Sequence, residues 1–125
     1  MPPPLTTLAL LEALGEPTRL RIVNCLTAAP LFVSDLQALL ELPQPTVSRH
    51  LKVLREAGLV RDTPIAQFVL YRLRRPGEPL GRVMGALLDA ALYDPGLQDE
   101  RSSALERSRQ HARLRNEIDT EGRPR

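Results

Sequence analysis

Gln44, Thr46, Ser48, Arg49 and Lys52 fall close together in the stretch QPTVSRHLKVLREAGLV, residues 44 to 60. They supply an amide, two short hydroxyls and two long cations, with no nucleophile paired to a base. The same stretch carries Val47, Leu51 and Leu54. At a helical step of about 100° per residue these three share one side, Arg49 and Lys52 point away from it, and Thr46 and Ser48 lie on the flanks. A helix that buries the apolar trio would therefore offer a polar, cationic face. Short donors and acceptors suit the base edges of a DNA major groove, and long cations reach phosphates. An ordinary solvated helix surface has the same composition, so the neighbouring elements must decide.

Charge is concentrated in the same region. The chain carries a net +2, yet residues 44 to 75 hold Arg49, Lys52, Arg55, Arg61, Arg72, Arg74 and Arg75 against only Glu56 and Asp62. That segment is +5, which leaves −3 for the remainder. A polyanion-binding surface leaves this signature; so does an arginine-rich solvated face.

The elements that would present the face follow from apolar spacing and breakers. A first helix is predicted over Leu5 to Leu14, ended by Gly15. Glu16-Pro17 opens a second, because proline at the first helical position gives up no hydrogen bond. Leu20, Ile22, Val23 and Leu26 form its apolar face, and Pro30 stops it. Ser34-Asp35-Leu36-Gln37 has capping-box spacing, with the Ser34 hydroxyl set to accept from the Gln37 N–H, and predicts a third helix from Ser34. Leu36, Leu39 and Leu40 face inward there. Leu42-Pro43 breaks the chain, and the fourth helix has Pro45 near its start and Gly58 as its cap.

Beyond Gly58 the period changes from helical to alternating. Leu59-Val60-Arg61 and Phe68 to Arg74 read as two strands, with Thr63-Pro64-Ile65-Ala66 as the hairpin tip. A fifth helix is expected from Leu80 to Tyr93, with Val83, Leu87, Ala90 and Ala91 on one face, before a break at Asp94-Pro95-Gly96. Leu97 to about Ile118 reads as a sixth helix that packs on a partner or as a loosely helical solvated arm, with His111 solvated. The opening MPPP and the closing TEGRPR are expected to be disordered. This order predicts a mainly α protein with a small β-hairpin, a winged helix-turn-helix (α-α-α-α-β-β-α) plus a C-terminal tail. Residues 5–94 form the expected DNA-binding and dimerisation domain and 95–125 a charged extension.

A chain of 125 residues with 42% apolar and 26% charged residues fits one modest core. Only 3% is aromatic and there is no Trp, so Leu, Val, Ile and Ala must build that core. Cys25 is the single cysteine, which excludes an intrachain disulfide. Leu5 to Leu14 is short, interrupted by Glu12, and lacks a charged leader, so a cytoplasmic protein without a membrane span is expected. No glycine-rich phosphate loop, nucleophile–base pair or metal cluster points to an enzyme, and no cofactor is indicated.

Several runs resemble the ArsR/SmtB family of bacterial winged-helix repressors: Gly15-Glu16-Pro17-Thr18-Arg19-Leu20-Arg21-Ile22, Val33-Ser34-Asp35-Leu36, Pro45 to Val60, and Tyr71-Arg72-Leu73. The resemblance spans about residues 5–94. It implies a homodimer built from the first and fifth helices that binds double-stranded DNA at an imperfect palindrome near its own promoter and is released by an inducer. The recognition helices would enter successive major grooves about one turn apart. DNA contacts would come from Gln44, Thr46, Ser48, Arg49, His50 and Lys52, with Arg61 and Arg72 from the wing. His50 lies at the edge of the buried face, where a structural hydrogen bond reads as well as a DNA contact.

The departures concern the sensor. Many relatives carry Cys-Val-Cys where this chain has Phe32-Val33-Ser34, and others bind zinc through paired Asp and His residues on the fifth helix, where only Asp89 is present. A closed zinc site needs about four ligands, so no metal site is expected at either position. Cys25 lies near one of two cysteines of redox-sensing relatives, but its counterpart is missing. It is thus a candidate lone redox thiol, with a small buried hydrophobe as the plainer reading. The predicted wing tip carries no cation, whereas relatives commonly have a basic, glycine-containing tip. The competing reading is a winged-helix dimerisation or protein-interaction module with little or no DNA binding.

Overall fold

Leucine supplies most of the interior. Leu10, Leu31, Leu36, Leu51, Leu54, Leu59 and Leu88 are fully buried together with Ile22, Val23, Val47 and Met84. The computed structural model describes residues 4–122, with side chains placed as far as Arg113. The elements are α1 (Thr7–Leu14), α2 (Pro17–Ala28), β1 (Leu31–Phe32), α3 (Val33–Leu40), α4 (Gln44–Glu56), β2 (Val60–Ile65), β3 (Phe68–Leu73), α5 (Leu80–Ala91) and α6 (Pro95–Gly122). The three strands form one antiparallel sheet in the order β1-β3-β2.

Local chemistry sets the boundaries. Thr6 caps α1 by accepting from the Ala9 N–H at 3.1 Å. Glu16 caps α2 through the Arg19 N–H at 2.9 Å, with Pro17 at the helix start. Helix α3 begins one residue before the expected Ser34, and its cap is not the Ser34 hydroxyl. The Asp35 carboxylate reaches back to accept from the Phe32 N–H at 2.9 Å. A residue inside the first turn thus does the capping, which reproduces only the returning half of the expected box.

The hairpin tip also moves. Ile65 pairs with Phe68, so the loop is Ala66-Gln67, and Pro64 pairs with Val69 inside β2. β2 is an edge strand, where a proline can face outward without breaking a ladder bond. Ala66 closes the turn at φ 54°, a left-handed backbone that costs an alanine about 1 kcal/mol. The two-residue β1 pairs Leu31 with Tyr71 and Phe32 with Leu70, adding a third strand to the expected pair.

Helix α5 ends at Ala91, two residues before the expected Tyr93, and the face named from the sequence is split between solvent and core. Met84, Leu88 and Ala91 are buried, whereas Val83, Leu87 and Ala90 are exposed. Helix α6 packs along α2 and α3 of its own chain and buries Ala104 in the core. The fully buried Asn24 donates to the Leu97 carbonyl at 2.7 Å and accepts from Arg101, whose Nη2 also donates to the Leu88 carbonyl at 2.8 Å. Arg21 and Glu100 form a two-pronged ion pair across the same interface. Residues 120–122, the start of TEGRPR, are helical; the remaining three, the first three of the chain and the Ile118 side chain lie outside the described residues.

Candidate nucleic-acid interface

Three residues, Glu41 to Pro43, separate α3 from α4. Glu41 takes a left-handed conformation at φ 55°, and Pro43 ends the turn in an extended backbone that leads into α4 with Pro45 in its first turn. At the other end Gly58 at φ 78° reverses the chain; its N–H donates to the Arg55 carbonyl at 3.0 Å and that of Leu59 to the Leu54 carbonyl at 2.9 Å. This is a Schellman closure, and glycine meets its positive φ without strain. Val47, Leu51 and Leu54 are wholly buried, which fixes the rotation of α4 about its axis.

The opposite face is open. Gln44, Arg49 and Lys52 are exposed, and Thr46 and Ser48 are half-buried beside them. Gln44 Nε2 donates to Ser48 Oγ at 2.7 Å, so the first turn presents a linked amide and hydroxyl. Ser34, Gln37, Gln44 and Gln67 join Phe32 and Phe68 around a cleft of about 350 Å³ between α3, α4 and the wing. Sequence spacing missed Ser34, Gln37 and Gln67, because only the fold brings three separate turns together.

His50 is turned inward. Its side chain is 12% exposed, with Nδ1 3.7 Å from Glu16 Oε2 and 3.4 Å from Arg19 Nη1. Arg19 in turn donates to the Ala13 carbonyl at 2.8 Å and the Glu12 carbonyl at 3.0 Å, capping the end of α1. Of the two readings of His50, this geometry favours the structural one: the ring joins α4 to the α1–α2 junction.

Arg61 and Arg72 are exposed cross-strand partners at the base of the hairpin, four register steps from the tip pair. That is roughly 13 Å from the tip at strand rise. Asp62 is held by Arg55 Nη1 at 3.1 Å, so the single acid of β2 is paired to the last turn of α4.

Residues 16–62 match the model of the bacterial regulatory protein, arsR family. The HTH-type transcriptional regulator NmtR of Mycobacterium tuberculosis is 35% identical over 99 residues, covering 75% of this chain and 78% of that protein. The chain belongs to the ArsR/SmtB family. The HTH-type transcriptional repressor SmtB of the same organism is 45% identical over 64 residues, 51% of this chain and 47% of that protein. The solved structure of HlyU from Vibrio cholerae superposes with a TM-score of 0.57 at 35% identity, over 64% of this chain and 85% of that one. The chain spans about half the length of curated relatives such as SmtB. These relatives are regulators rather than enzymes.

Against the ArsR/SmtB pattern, three positions take on physical meaning. The Glu16-to-Arg19 run is the joint that caps α1 and α2 and meets His50. Phe32 packs edge-on against Phe68, with ring centroids 6.0 Å apart. Cys25 is fully buried, and burial, helped by the Glu100 charge, pushes its thiol up to about 12. It therefore stays protonated near neutral pH, and protonated thiols are poor nucleophiles. Iodoacetamide is expected to leave the native protein unmodified by mass spectrometry and to label Cys25 once guanidinium unfolds the chain. Labelling at the same rate in both states would contradict this placement.

Proposed function

We propose that this ArsR/SmtB chain is a cytoplasmic, sequence-specific transcriptional repressor that binds an imperfect palindrome as a homodimer and is released by an inducer. The observation that carries the reading is the split surface of α4: three wholly buried residues on one side, and Gln44, Thr46, Ser48, Arg49 and Lys52 on the other. The tight turn from α3 and the Gly58 closure present that surface. Gln44, Ser48 and Arg49 are assigned to base edges and Lys52 to phosphate. Arg61 and Arg72 reach backbone from the strand bases, and His50 supports the helix from behind.

Residues 5–94 serve in this reading as the DNA-binding and dimerisation unit, with 95–125 appended. The dimer is supported by apolar side chains left in the open on α1 and α5: Leu8 at 66%, Leu11 at 55%, Val83 at 46% and Leu87 at 38% exposure. With Phe32 and Ser34 in place of thiolates and Asp89 alone on α5, the inducer is assigned to a class other than the metals that the family holds at those positions.

An electrophoretic shift with DNA from upstream of the protein's own gene tests the reading across a salt series. Arg49→Ala is expected to weaken binding by tenfold to a hundredfold, about 1–3 kcal/mol, and to relax base preference at one position of each half-site. Lys52→Ala is expected to lower the salt slope by about one unit per half-site without changing preference. The neutral tip at Ala66-Gln67 favours a second reading, a winged-helix interaction module. Retention of duplex that is indifferent to both substitutions would select it.

A further inference from the structure

Asp35 is a fully buried carboxylate whose partners come from two distant parts of the chain. Its Oδ2 accepts the local Phe32 N–H. Its Oδ1 accepts from Arg107 Nε at 2.9 Å and from His111 Nε2 at 2.7 Å, one helical turn apart on α6. Burial alone would push this carboxyl up, but the His111, Phe32 and Arg107 bonds outweigh it and hold the group below the ordinary carboxylate range. It is ionised at neutral pH, and a buried charge of this kind depends on its partners.

The contact extends beyond α3. The His111 ring meets Phe32 edge-on at 5.9 Å, and Phe32 meets Phe68, the first residue of β3, at 6.0 Å. A chain of touching groups thus runs from α6 through the start of α3 to the wing. In a helix-turn-helix the helix before the recognition helix crosses the DNA backbone. The start of α3 and the wing tip also flank Gln44 around the cleft described above. Helix α6 lies outside residues 16–62, where the family model matches. Its first half is fixed independently by Asn24, Arg101, the Arg21–Glu100 pair and Ala104.

We propose that Arg107 and His111 are positioning residues for DNA binding: from α6 they hold the start of α3 and the wing, through Asp35 and Phe32, in the arrangement that the reading face requires. The proposal rests on the DNA-binding reading and adds to it a latch formed by the C-terminal extension. Opening the latch frees residues 31–36 and the hairpin while α2 and the body of the core stay packed.

The test compares full-length wild type, Arg107→Ala/His111→Ala and the donor-retaining Arg107→Lys/His111→Gln by hydrogen exchange and by fluorescence anisotropy with the upstream duplex. Titration of the active fraction separates a changed affinity from a loss of folded protein. The double alanine variant is expected to exchange at least about tenfold faster at residues 31–36 and 60–73 with α2 unchanged. Its active fraction is expected to bind DNA at least about tenfold more weakly with a lower salt slope, consistent with the loss of charge-assisted hydrogen bonds. The conservative variant restores both readouts to within about threefold.

Exchange that quickens only within α6, or unchanged affinity of the active fraction, overturns the proposal. If the double variant loses its cooperative melt, His111→Ala alone, which keeps Arg107 on Asp35, is read for the same changes at smaller amplitude, with the same overturning results. A wild-type protein that retains no duplex would refute the DNA reading and the positioning role with it, whereas exchange decides the latch in either case.

Discussion

Leu87→Glu is expected to convert the proposed dimer into a monomer and to weaken operator binding by at least about a hundredfold, because two linked half-site contacts become one. Leu87 lies on the outer stripe of α5 with Val83, while the inner stripe of Met84, Leu88 and Ala91 closes the chain's own core. The substitution therefore falls outside the chain's own buried core. In a two-fold interface the new carboxylate occurs twice, and each copy must lose water without a partner, which costs several kcal/mol. Sedimentation velocity reads the mass, anisotropy the affinity, and circular dichroism the retained helix. A variant that remains dimeric at micromolar concentration would place the interface elsewhere.

Leu51→Ala is expected to lower stability by about 3 kcal/mol, within the roughly 2–5 kcal/mol range for emptying a sealed leucine site. At about 4 °C per kcal/mol for a chain of this size, the melting midpoint falls by more than about 10 °C. Leu51 is wholly buried between Val47 and Leu54 on the inner side of α4, one residue from Lys52 and two from Arg49 on the outer side. Loss of its methyl groups loosens the seat of the helix without touching the reading face. Affinity per folded molecule is thus expected to change far less than the melting midpoint. Melts of both proteins at equal concentration provide the comparison. A shift of under about 3 °C would mean that the core closes over the gap.

Much of this architecture was legible because local signals and burial agreed. Val47, Leu51 and Leu54 were placed inside α4 by their spacing alone, and Gly58 stops the helix where a positive φ is needed. The sequence is ambiguous where a local signal admits two outcomes. Helix α5 has two apolar stripes, and periodicity does not say which belongs to the chain's own core. Pro64 reads as a turn residue until its strand is known to be the sheet's edge. Two-residue β1 is too short to leave a pattern.

The site shows the same division. The outward set on α4 follows from helical angle, whereas the inward turn of His50 depends on Glu16 and Arg19, more than thirty positions earlier. His111 reads as a solvated side chain and is indeed about half exposed, but its bond to Asp35, seventy-six residues away, leaves no local mark. The capping-box pattern correctly announced a helix start and misassigned the residue responsible, because Asp35 serves both the backbone and α6. Contacts of such sequence separation are invisible to a local window.

The alanine at the wing's turn has a practical consequence. Ala66 holds a backbone geometry that glycine adopts freely, and Gln67 beside it is exposed and uncharged. Ala66→Gly with Gln67→Lys would relieve the strain and install a charge near the duplex in one loop. Promoter occupancy at a given salt concentration is then expected to rise in a reporter strain. A builder of genetic circuits could thus set the strength of this repressor from its wing without altering the residues assigned to reading sequence.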